Sequence, residues 1–314
     1  MPGCRAKRGE EKRKALLSII ARTVRRVLVG ICIYFFCATT GLAAVDICDR
    51  PVTSSHVSFG VSAGDKVDLE GGLGEVEQED YALDSLYEFQ NEWSAGVGYR
   101  YKILRFDPIE PQTNGHLHTL FIPVHRQSQS DGKGFRFSIA PALSASSNVM
   151  KDPSQYDTDA LQLLVAAVWN RPLSGATGFR YGVCGDHRFG SYKIYPLVSF
   201  DWQPHLDWTI ELGFPMAEVR YQATSSFDTS LRLAPDGNEW YVKDKSLQFD
   251  SQFIYESYLL EWAFNWRAYK GLAITAGIGW QFHNRYEMTL LDGSRVRVSS
   301  DDFMRLGAAL AWQF

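Results

Sequence analysis

The chain has 314 residues, of which 45% are hydrophobic and 14% aromatic, and its formal net charge at pH 7 is −4. Nine basic and two acidic residues lie within residues 1–44, so the remainder carries 23 basic and 34 acidic side chains, a net charge of −11. Such an acidic body argues against a nucleic-acid partner, which requires basic patches. No segment after residue 44 reaches the ~18 consecutive apolar residues of a transmembrane helix, whereas transmembrane strands need only ~9–11 residues each.

The first 44 residues have the order of a secretory signal peptide. Basic residues cluster from Arg5 to Arg26, an apolar stretch follows from Val27 to Phe36, and small residues surround Ala43 and Ala44. This order predicts export, with cleavage near Ala43 or Ala44. An uncleaved membrane anchor is the alternative, but the apolar stretch is shorter than the ~20 residues that span a bilayer.

After the predicted signal peptide, residues 45–54 form a short leader and residues 55–314 form one long domain. Cys48 and Cys184 are the cysteines that remain after cleavage, and in an oxidising compartment they could pair. They lie in different parts of the predicted topology, so the sequence leaves this pairing open.

Residues 55–314 alternate between apolar and polar side chains almost throughout, which is typical of strands with two different faces. The alternation is clear from Phe135 to Ile139, and the last such segment, from Leu306 to Phe314, ends on the final residue. Alternation alone would fit a soluble β-sandwich equally well.

Three further features favour a membrane barrel. Trp and Tyr lie near the ends of the apolar rows, as in aromatic girdles, and the opposite faces mix charged residues with Gly, Ser and Thr. Short connections at 203–206 and 269–271 contrast with long polar ones at 144–159, 222–246 and 283–302. Short periplasmic turns and longer outer loops are typical of outer-membrane barrels. The sequence therefore predicts an all-β, closed, antiparallel up-and-down transmembrane β-barrel.

The alternating segments suggest about twelve strands, an even number as single-chain bacterial barrels require. Ten or fourteen strands remain open, since the acidic region 64–81 could contain another strand pair. Pro215 lies inside one segment, and a bulge there is the simplest interpretation. The predicted strands lie near 55–63, 82–90, 94–106, 118–126, 135–145, 160–170, 179–186, 189–202, 207–223, 247–268, 272–283 and 303–314.

Alternation also predicts which charged residues face the lumen, because charges on the lipid side cost ~2–4 kcal/mol at mid-depth for Arg or Lys. Asp186 and Arg188 would share one face of a strand and could form an ion pair. The predicted lumen-lining residues are Arg100, Lys102, Arg136, Lys193, Asp201, Glu211, Asp250, Glu261, Arg267 and Arg305.

The histidines and acids form no recognisable catalytic or metal-binding motif. His116 and His118 lie two residues apart, which permits metal binding on a strand, but their neighbours Asn114 and Gly115 favour a loop tip. No nucleophile elbow, zinc-helix motif or phosphate-binding glycine loop occurs in the sequence. We therefore expect no enzyme activity, no metal and no cofactor.

The stretch from Arg180 to Pro215, with Leu212-Gly213-Phe214-Pro215 as its most telling part, resembles an uncharacterised family of proteobacterial outer-membrane barrels. The segments Trp202-Gln203-Pro204 and Asn265-Trp266-Arg267 fit the same resemblance, which implies a barrel fold and an outer-membrane location. Trp312 and Phe314 end the chain in a pattern that resembles the assembly signal of outer-membrane barrels.

These features predict an integral barrel in the outer membrane of a Gram-negative bacterium. Its expected partners are outer-membrane lipid, the barrel-assembly machinery and small solutes, but no nucleic acid. A twelve-stranded barrel would be narrow or plugged, because eight strands leave a filled interior and sixteen to eighteen an aqueous channel. We therefore expect a narrow pore for small solutes of unknown identity. The alternatives are a structural or adhesion barrel that uses its outer loops and, less favoured, a hydrolase with an active site at the rim.

Overall fold

The computed structural model describes residues 47–48, 55–89, 92–109, 111, 115–130, 133–152, 154, 156–243, 250–269, 271–290 and 293–314. The predicted signal peptide, residues 1–44, lies outside this part of the chain. A short α-helix, α1 (Ser147–Met150), accompanies the strands. The strands are β1 (His56–Gly64), β2 (Val67–Leu69), β3 (Gly74–Glu88), β4 (Trp93–Asp107), β5 (His116–Phe121), β6 (Val124–Ser130), β7 (Lys133–Ser146), β8 (Leu161–Pro172), β9 (Thr177–Asp186), β10 (Lys193–Trp202), β11 (Trp208–Phe214), β12 (Ala217–Thr224), β13 (Phe227–Pro235), β14 (Asn238–Lys243), β15 (Asp250–Tyr269), β16 (Leu272–Thr289), β17 (Arg295–Ser299) and β18 (Phe303–Gln313).

The strands close into one antiparallel barrel. The last strand pairs with the first, with His56 opposite Gln313 and Gly64 opposite Arg305. In four cases two consecutive strands pair with different parts of the same neighbouring strand, so the two count as one interrupted strand of the wall. These cases are β1 with β2, β5 with β6, β13 with β14, and β17 with β18. The wall therefore has 14 strands. This confirms the predicted fold class, with fourteen strands in place of about twelve.

The two additional strands come from segments that the sequence analysis assigned otherwise. The predicted strand at 207–223 is a hairpin of β11 and β12, and Pro215 lies in its turn and not in a bulge. The predicted loop at 222–246 contains β13 and β14, and much of the predicted loop at 283–302 is strand in β16 and β17. Both segments are rich in polar residues and therefore resembled loops. The structure places these residues on the inward face of the strands or beyond the apolar belt, where polar side chains are compatible with a strand.

The wall has an apolar outer face and a polar inner face. Along β18, Leu306 and Leu310 are 64% and 50% exposed. Arg305, which lies between the outward-facing Met304 and Leu306, is only 4% exposed. In a closed barrel the buried face is the inside, so the exposed apolar rows form an outward belt suited to lipid. No helix among the described residues is long and apolar enough to cross a membrane.

The two rims differ in the length of their connections. At the rim where His56 pairs with Gln313, the turns at 89–92, 131–132, 173–176, 203–207, 225–226 and 270–271 are short. The opposite rim has the longest connection, at 147–160, and another at 108–115. Short turns are typical of the periplasmic side, so we call the first rim periplasmic and the opposite one outer.

Strand β14 closes the barrel at its outer end. On one edge it pairs with β15, and on the other Tyr241 forms a parallel pair with Ala145 of β7, on a different part of the wall. Among the described residues, strands β8–β12, which complete the wall between β7 and β13, form no backbone ladder with β14. Gly237 precedes β14 where a side chain would not fit, because an added Cβ would lie 2.6 Å from the Tyr255 carbonyl oxygen and 2.7 Å from that of Arg188.

The interior behind β14 is a packed apolar core. Trp240 and Val242 of β14 contact inward side chains of the surrounding strands, and each is at most 3% exposed. Close packing of this kind excludes water from the space between these side chains. The other buried members of the core are Leu69, Val76, Leu104, Leu117, Phe253, Tyr255, Tyr286, Met288 and Val298.

The described part of the leader lies inside the barrel. Ile47 and Cys48 are 2% and 0% exposed and pack against inward residues such as Leu164 and Val168 of β8. Cys48 forms a disulfide with Cys184 of β9, with a Cα–Cα distance of 5.9 Å. The pairing that the sequence left open is therefore present.

Candidate functional site: the central chamber

A small cavity lies at the centre of the barrel, beneath β14. Its volume is about 60 Å³, which is room for a few water molecules at ~10–15 Å³ each. We call it the central chamber. Its charged lining comes from four separate parts of the barrel: Asp80, Arg100, Lys102, Asp186, Arg188 and Asp236.

One side of the chamber is built on a network of ion pairs. Lys102 Nζ lies 2.6 Å from Asp80 Oδ1, and Arg305 lies 3.1 Å from both Asp80 Oδ2 and Asp236 Oδ2. Gln281 Nε2 donates to Asp236 Oδ2 at 3.0 Å, and Arg305 Nε donates to Ser62 Oγ at 2.7 Å. Arg305 is 4% exposed, so its charge is buried and requires these partners.

The other side of the chamber centres on Asp186, which is 1% exposed. Its Oδ2 accepts from Arg188 Nε at 2.8 Å and from the Tyr195 hydroxyl at 2.8 Å, and its Oδ1 accepts from the Arg188 amide at 3.1 Å. Asp186 and Arg188 are the pair expected from the sequence, and the structure places them in direct contact.

Asp186 also lies close to the disulfide. Cys48, Cys184 and Asp186 have potential ligand atoms within 4.8 Å of one another. The two sulfur atoms are bonded to each other, so they are not available as thiolate ligands. This cluster therefore gives no metal site.

Further ion pairs line the interior toward the periplasmic rim. Arg180 Nε lies 3.0 Å from Asp201 Oδ2, and its Nη2 is paired with Glu211. Arg267 Nη2 lies 2.7 Å from Asp228 Oδ2 on the neighbouring strand. These contacts bring the predicted residues Asp201, Glu211 and Arg267 together with inward partners of opposite charge.

The remaining predicted lumen residues occupy varied positions. Arg100 lies 2.8 Å from Asp84, and Arg136, 3% exposed, donates to the Cys48 carbonyl oxygen at 2.5 Å. Glu261 is 8% exposed and faces Arg232 in the strand register.

Two predicted lumen residues lie at the outer ends of their strands. Lys193 is exposed there and donates to the Phe189 carbonyl oxygen at 3.0 Å. Asp250 begins β15, and its side chain lies outside the described residues.

Some inward-facing carboxylates were not predicted from the sequence. Asp80 and Asp84 are partly buried and alternate with Tyr81 and Leu83. Asp84 lies within the strand predicted at 82–90, and a strand begun at Gly74 would have included Asp80 as well. Asp236 had no such signal, because it lies in the bend between β13 and β14, where alternation is interrupted.

His116 and His118 lie on β5 and not at a loop tip. The Nε2 atom of His118 lies 2.5 Å from Ser147 Oγ, and its Nδ1 lies 2.7 Å from the Tyr99 hydroxyl. A base in contact with a hydroxyl and oriented by a third group has the pattern of an activated nucleophile. Ser147 is only 9% exposed, which restricts access to it.

The chain is similar in shape to solved bacterial barrels, but weakly. An outer-membrane channel from Pseudomonas putida F1 has a TM-score of 0.44 and 8% identity, covering 88% of this chain and 100% of that one. The KdgM porin in complex with disordered oligogalacturonate has a TM-score of 0.36 and 7% identity. The match covers 82% of this chain and 99% of the porin. The translocator domain of the autotransporter NalP from Neisseria meningitidis has a TM-score of 0.38 and 8% identity. The match covers 97% of this chain and 98% of the NalP domain.

No protein-family model and no curated protein matches the chain, so the resemblance to an uncharacterised family stays a prediction. The similarity to these solved structures is too low to carry a function to this chain. The closed wall, the outward apolar belt and the charged interior nevertheless have one physical explanation. The chain is an integral β-barrel of the outer membrane.

Proposed function

We propose that the barrel is a narrow channel for small solutes and that the central chamber is where a solute contacts the protein. The observation that carries this proposal is the charged interior, which continues from Arg305 and Asp80 to Arg267 and Asp228 nearer the periplasmic rim. A barrel that only had to fold could fill its interior with apolar side chains, as the outer end does.

The chamber favours small polar solutes that carry both donors and acceptors. Its lining presents Arg100, Lys102 and Arg188 together with three aspartates, so positive and negative charges balance. Balanced charges give no strong preference for anions or cations. The small volume suits solutes that replace a few water molecules.

In the state described here the outer end is closed, so passage requires β14 to move. Side-chain hydrogen bonds hold β14 against other parts of the wall, including two between β14 and Ser144 of β7. Asn238 Nδ2 and Trp240 Nε1 donate to Thr119 Oγ1 at 2.9 and 3.1 Å, and Gln162 Nε2 donates to the Glu239 carbonyl oxygen at 2.6 Å. Each such bond contributes about 1 kcal/mol, which β14 can lose and recover on opening.

Planar-bilayer conductance of the refolded protein tests the channel. We expect small, infrequent current steps for the wild type and more frequent steps for Asn238→Ala/Trp240→Ala, which frees β14 from Thr119. A second variant locks β14 in place through Tyr241→Cys with Ala145→Cys, in a Cys48→Ser/Cys184→Ser background. We expect it to be silent until a reductant is added.

The control for the locked variant is Tyr241→Cys alone in the same background, which should conduct with or without reductant. Absence of steps from both the wild type and the Asn238→Ala/Trp240→Ala variant, each shown to be folded, would contradict the channel. Unchanged conductance on locking would contradict the role of β14.

The packed outer core favours a second candidate, a structural or adhesion barrel that does not conduct. The loop at 147–160 is the longest outer connection and would be its contact surface. Shortening this loop would abolish binding to cells or polymers in an adhesion barrel and leave it unchanged in a channel.

We also propose the route by which the barrel reaches the membrane. Residues 1–44 would direct export, residues 45–54 would remain as a leader, and Trp312 and Phe314 would be read by the barrel-assembly machinery. Both aromatic side chains are exposed, at 48% and 65%, which leaves them accessible to such a partner.

A further inference from the structure

Two basic residues face each other on the outward surface of the barrel near its periplasmic rim. Gly134 of β7 pairs with Asn170 of β8, so the next step of the register places Lys133 opposite Arg171. Both side chains are exposed. Each follows the outward parity of its strand, which includes Phe135 on β7 and Trp169 on β8.

Aromatic rings lie directly beside these cations. The Phe135 and Trp169 rings are 5.0 Å apart, and the Trp169 and Tyr181 rings are 5.9 Å apart and stacked. The Arg171 guanidinium lies 5.9 Å from the centre of the Tyr181 ring. An open cleft of about 410 Å³ lies among Ser128, Lys133, Gly134, Phe135, Trp169, Asn170 and Arg171.

Like charges directly opposite each other on a sheet face are destabilising unless an anion is present. Within the described residues no carboxylate lies within ion-pair distance of Lys133 or Arg171. The interior arginines differ, since Arg180, Arg267 and Arg305 each contact an acid. An exposed pair of cations beside aromatic rings on the outward face is suited to an anion supplied by the surrounding membrane.

We infer that this cleft binds an acidic phospholipid of the periplasmic leaflet. Lys133 and Arg171 would contact the phosphate, and the aromatic rings would pack against the glycerol region at the membrane interface. Phe137, 40% exposed and next along the same face, would contact the first part of an acyl chain. A zwitterionic lipid fits less well, because its ammonium group would approach the same two cations.

Native mass spectrometry of the intact barrel tests this inference. The protein is equilibrated in mixed micelles of phosphatidylglycerol and phosphatidylcholine, and the retained lipid is counted. We expect enrichment of phosphatidylglycerol by roughly 30-fold, since each basic residue at an anionic lipid surface contributes about fivefold. Lys133→Ala/Arg171→Ala should remove this enrichment.

The matched control is Arg295→Ala/Arg297→Ala, which removes the same charge from the outer rim, where Arg297 is paired with Glu287. It should retain the enrichment. Soluble glycerol phosphate distinguishes a lipid site from a phosphate site, and we expect it not to displace the lipid. Equal retention of the two lipids by the wild type would overturn the inference.

Folding of each variant is checked independently by the mobility shift on heating in detergent. Quenching of Trp169 by brominated phosphatidylglycerol gives a second readout, measured as the signal lost in Trp169→Phe. Unchanged enrichment in the folded Lys133→Ala/Arg171→Ala variant would also overturn the proposed site. Neither readout depends on whether the barrel conducts.

Discussion

Arg305 Nη1 lies 3.1 Å from Asp236 Oδ2, which joins the last strand of the wall to the bend where β14 begins. Both residues are almost completely buried, and Arg305 contacts Asp80 at the same distance. One guanidinium therefore holds together the wall and the start of the strand that closes the outer end. Loss of a partner would affect both stability and closure.

Asp236→Ala should lower the free energy of unfolding by about 2 kcal/mol. Breaking a buried pair completely costs ~3–5 kcal/mol, and Arg305 would keep Asp80. Urea titration in lipid vesicles, followed by electrophoretic mobility, measures the change. The control Glu287→Ala removes an exposed pair with Arg297 and should cost less than ~1 kcal/mol. Equal effects of the two variants would contradict the buried network.

Lys102→Ala should shift ion selectivity toward cations, because Asp80 would lose its contact at 2.6 Å and lining charge would become more negative. The cation-to-anion permeability ratio should rise by roughly fivefold, which corresponds to on the order of 1 kcal/mol of lost repulsion. Reversal potentials in a salt gradient measure it. Lys66→Ala is the control, since Lys66 is exposed and lies between β1 and β2. No shift for Lys102→Ala in a conducting barrel would exclude this lysine from the solute path.

The disulfide between Cys48 and Cys184 should contribute strongly to the free energy of unfolding. Cys48→Ser/Cys184→Ser should lower the unfolding free energy by about 3–5 kcal/mol, because the bond joins residues separated by 136 positions. Thermal unfolding with and without reductant measures the effect in the wild type. The double variant should be insensitive to reductant. A wild type that is equally insensitive would show that the bond does not form.

Phe314→Ala should slow assembly into the membrane several-fold while leaving the folded barrel stable, because Phe314 is 65% exposed and contributes little packing. The amount of folded barrel, identified by its change in electrophoretic mobility on heating, is measured over time in outer-membrane fractions. Phe314→Tyr keeps an aromatic carboxy-terminus and serves as the control. Normal assembly of Phe314→Ala would remove this residue from the predicted assembly signal.

The contact between His118 and Ser147 makes the rim hydrolase testable. If the pair is an activated nucleophile, a fluorophosphonate probe should label the wild type and not Ser147→Ala or His118→Gln. Ser154→Ala controls for general labelling of the same loop, since Ser154 Oγ donates to the Asp152 carboxylate and not to a histidine in the described structure. Because Ser147 is 9% exposed, we expect no labelling of the wild type. Labelling that is lost in both variants would favour the hydrolase.

Local pattern in the sequence predicted the wall well. The alternation from Leu306 to Phe314 identifies β18, including which residues face lipid, because successive side chains on a strand point to opposite sides. It also predicted the contact between Asp186 and Arg188, but not its geometry, because β9 ends at Asp186 and Arg188 lies in the turn that follows and not on the same strand face. Strand ends were less accurate. Strands continue beyond the apolar belt, where both faces are polar and alternation no longer marks the strand. A short turn such as the one at Pro215 interrupts the pattern for only two residues, so it was not recognised as a turn.

The sequence by itself determined the period of two, the outward belt and the presence of inward charges, since each is a property of neighbouring residues. Only the tertiary structure decided that Tyr241 pairs with Ala145, that Cys48 reaches Cys184 inside the barrel, and that Arg305 takes Asp236 as a partner. These contacts join residues far apart in the chain. Their geometry follows from closure of the wall, which no local pattern specifies.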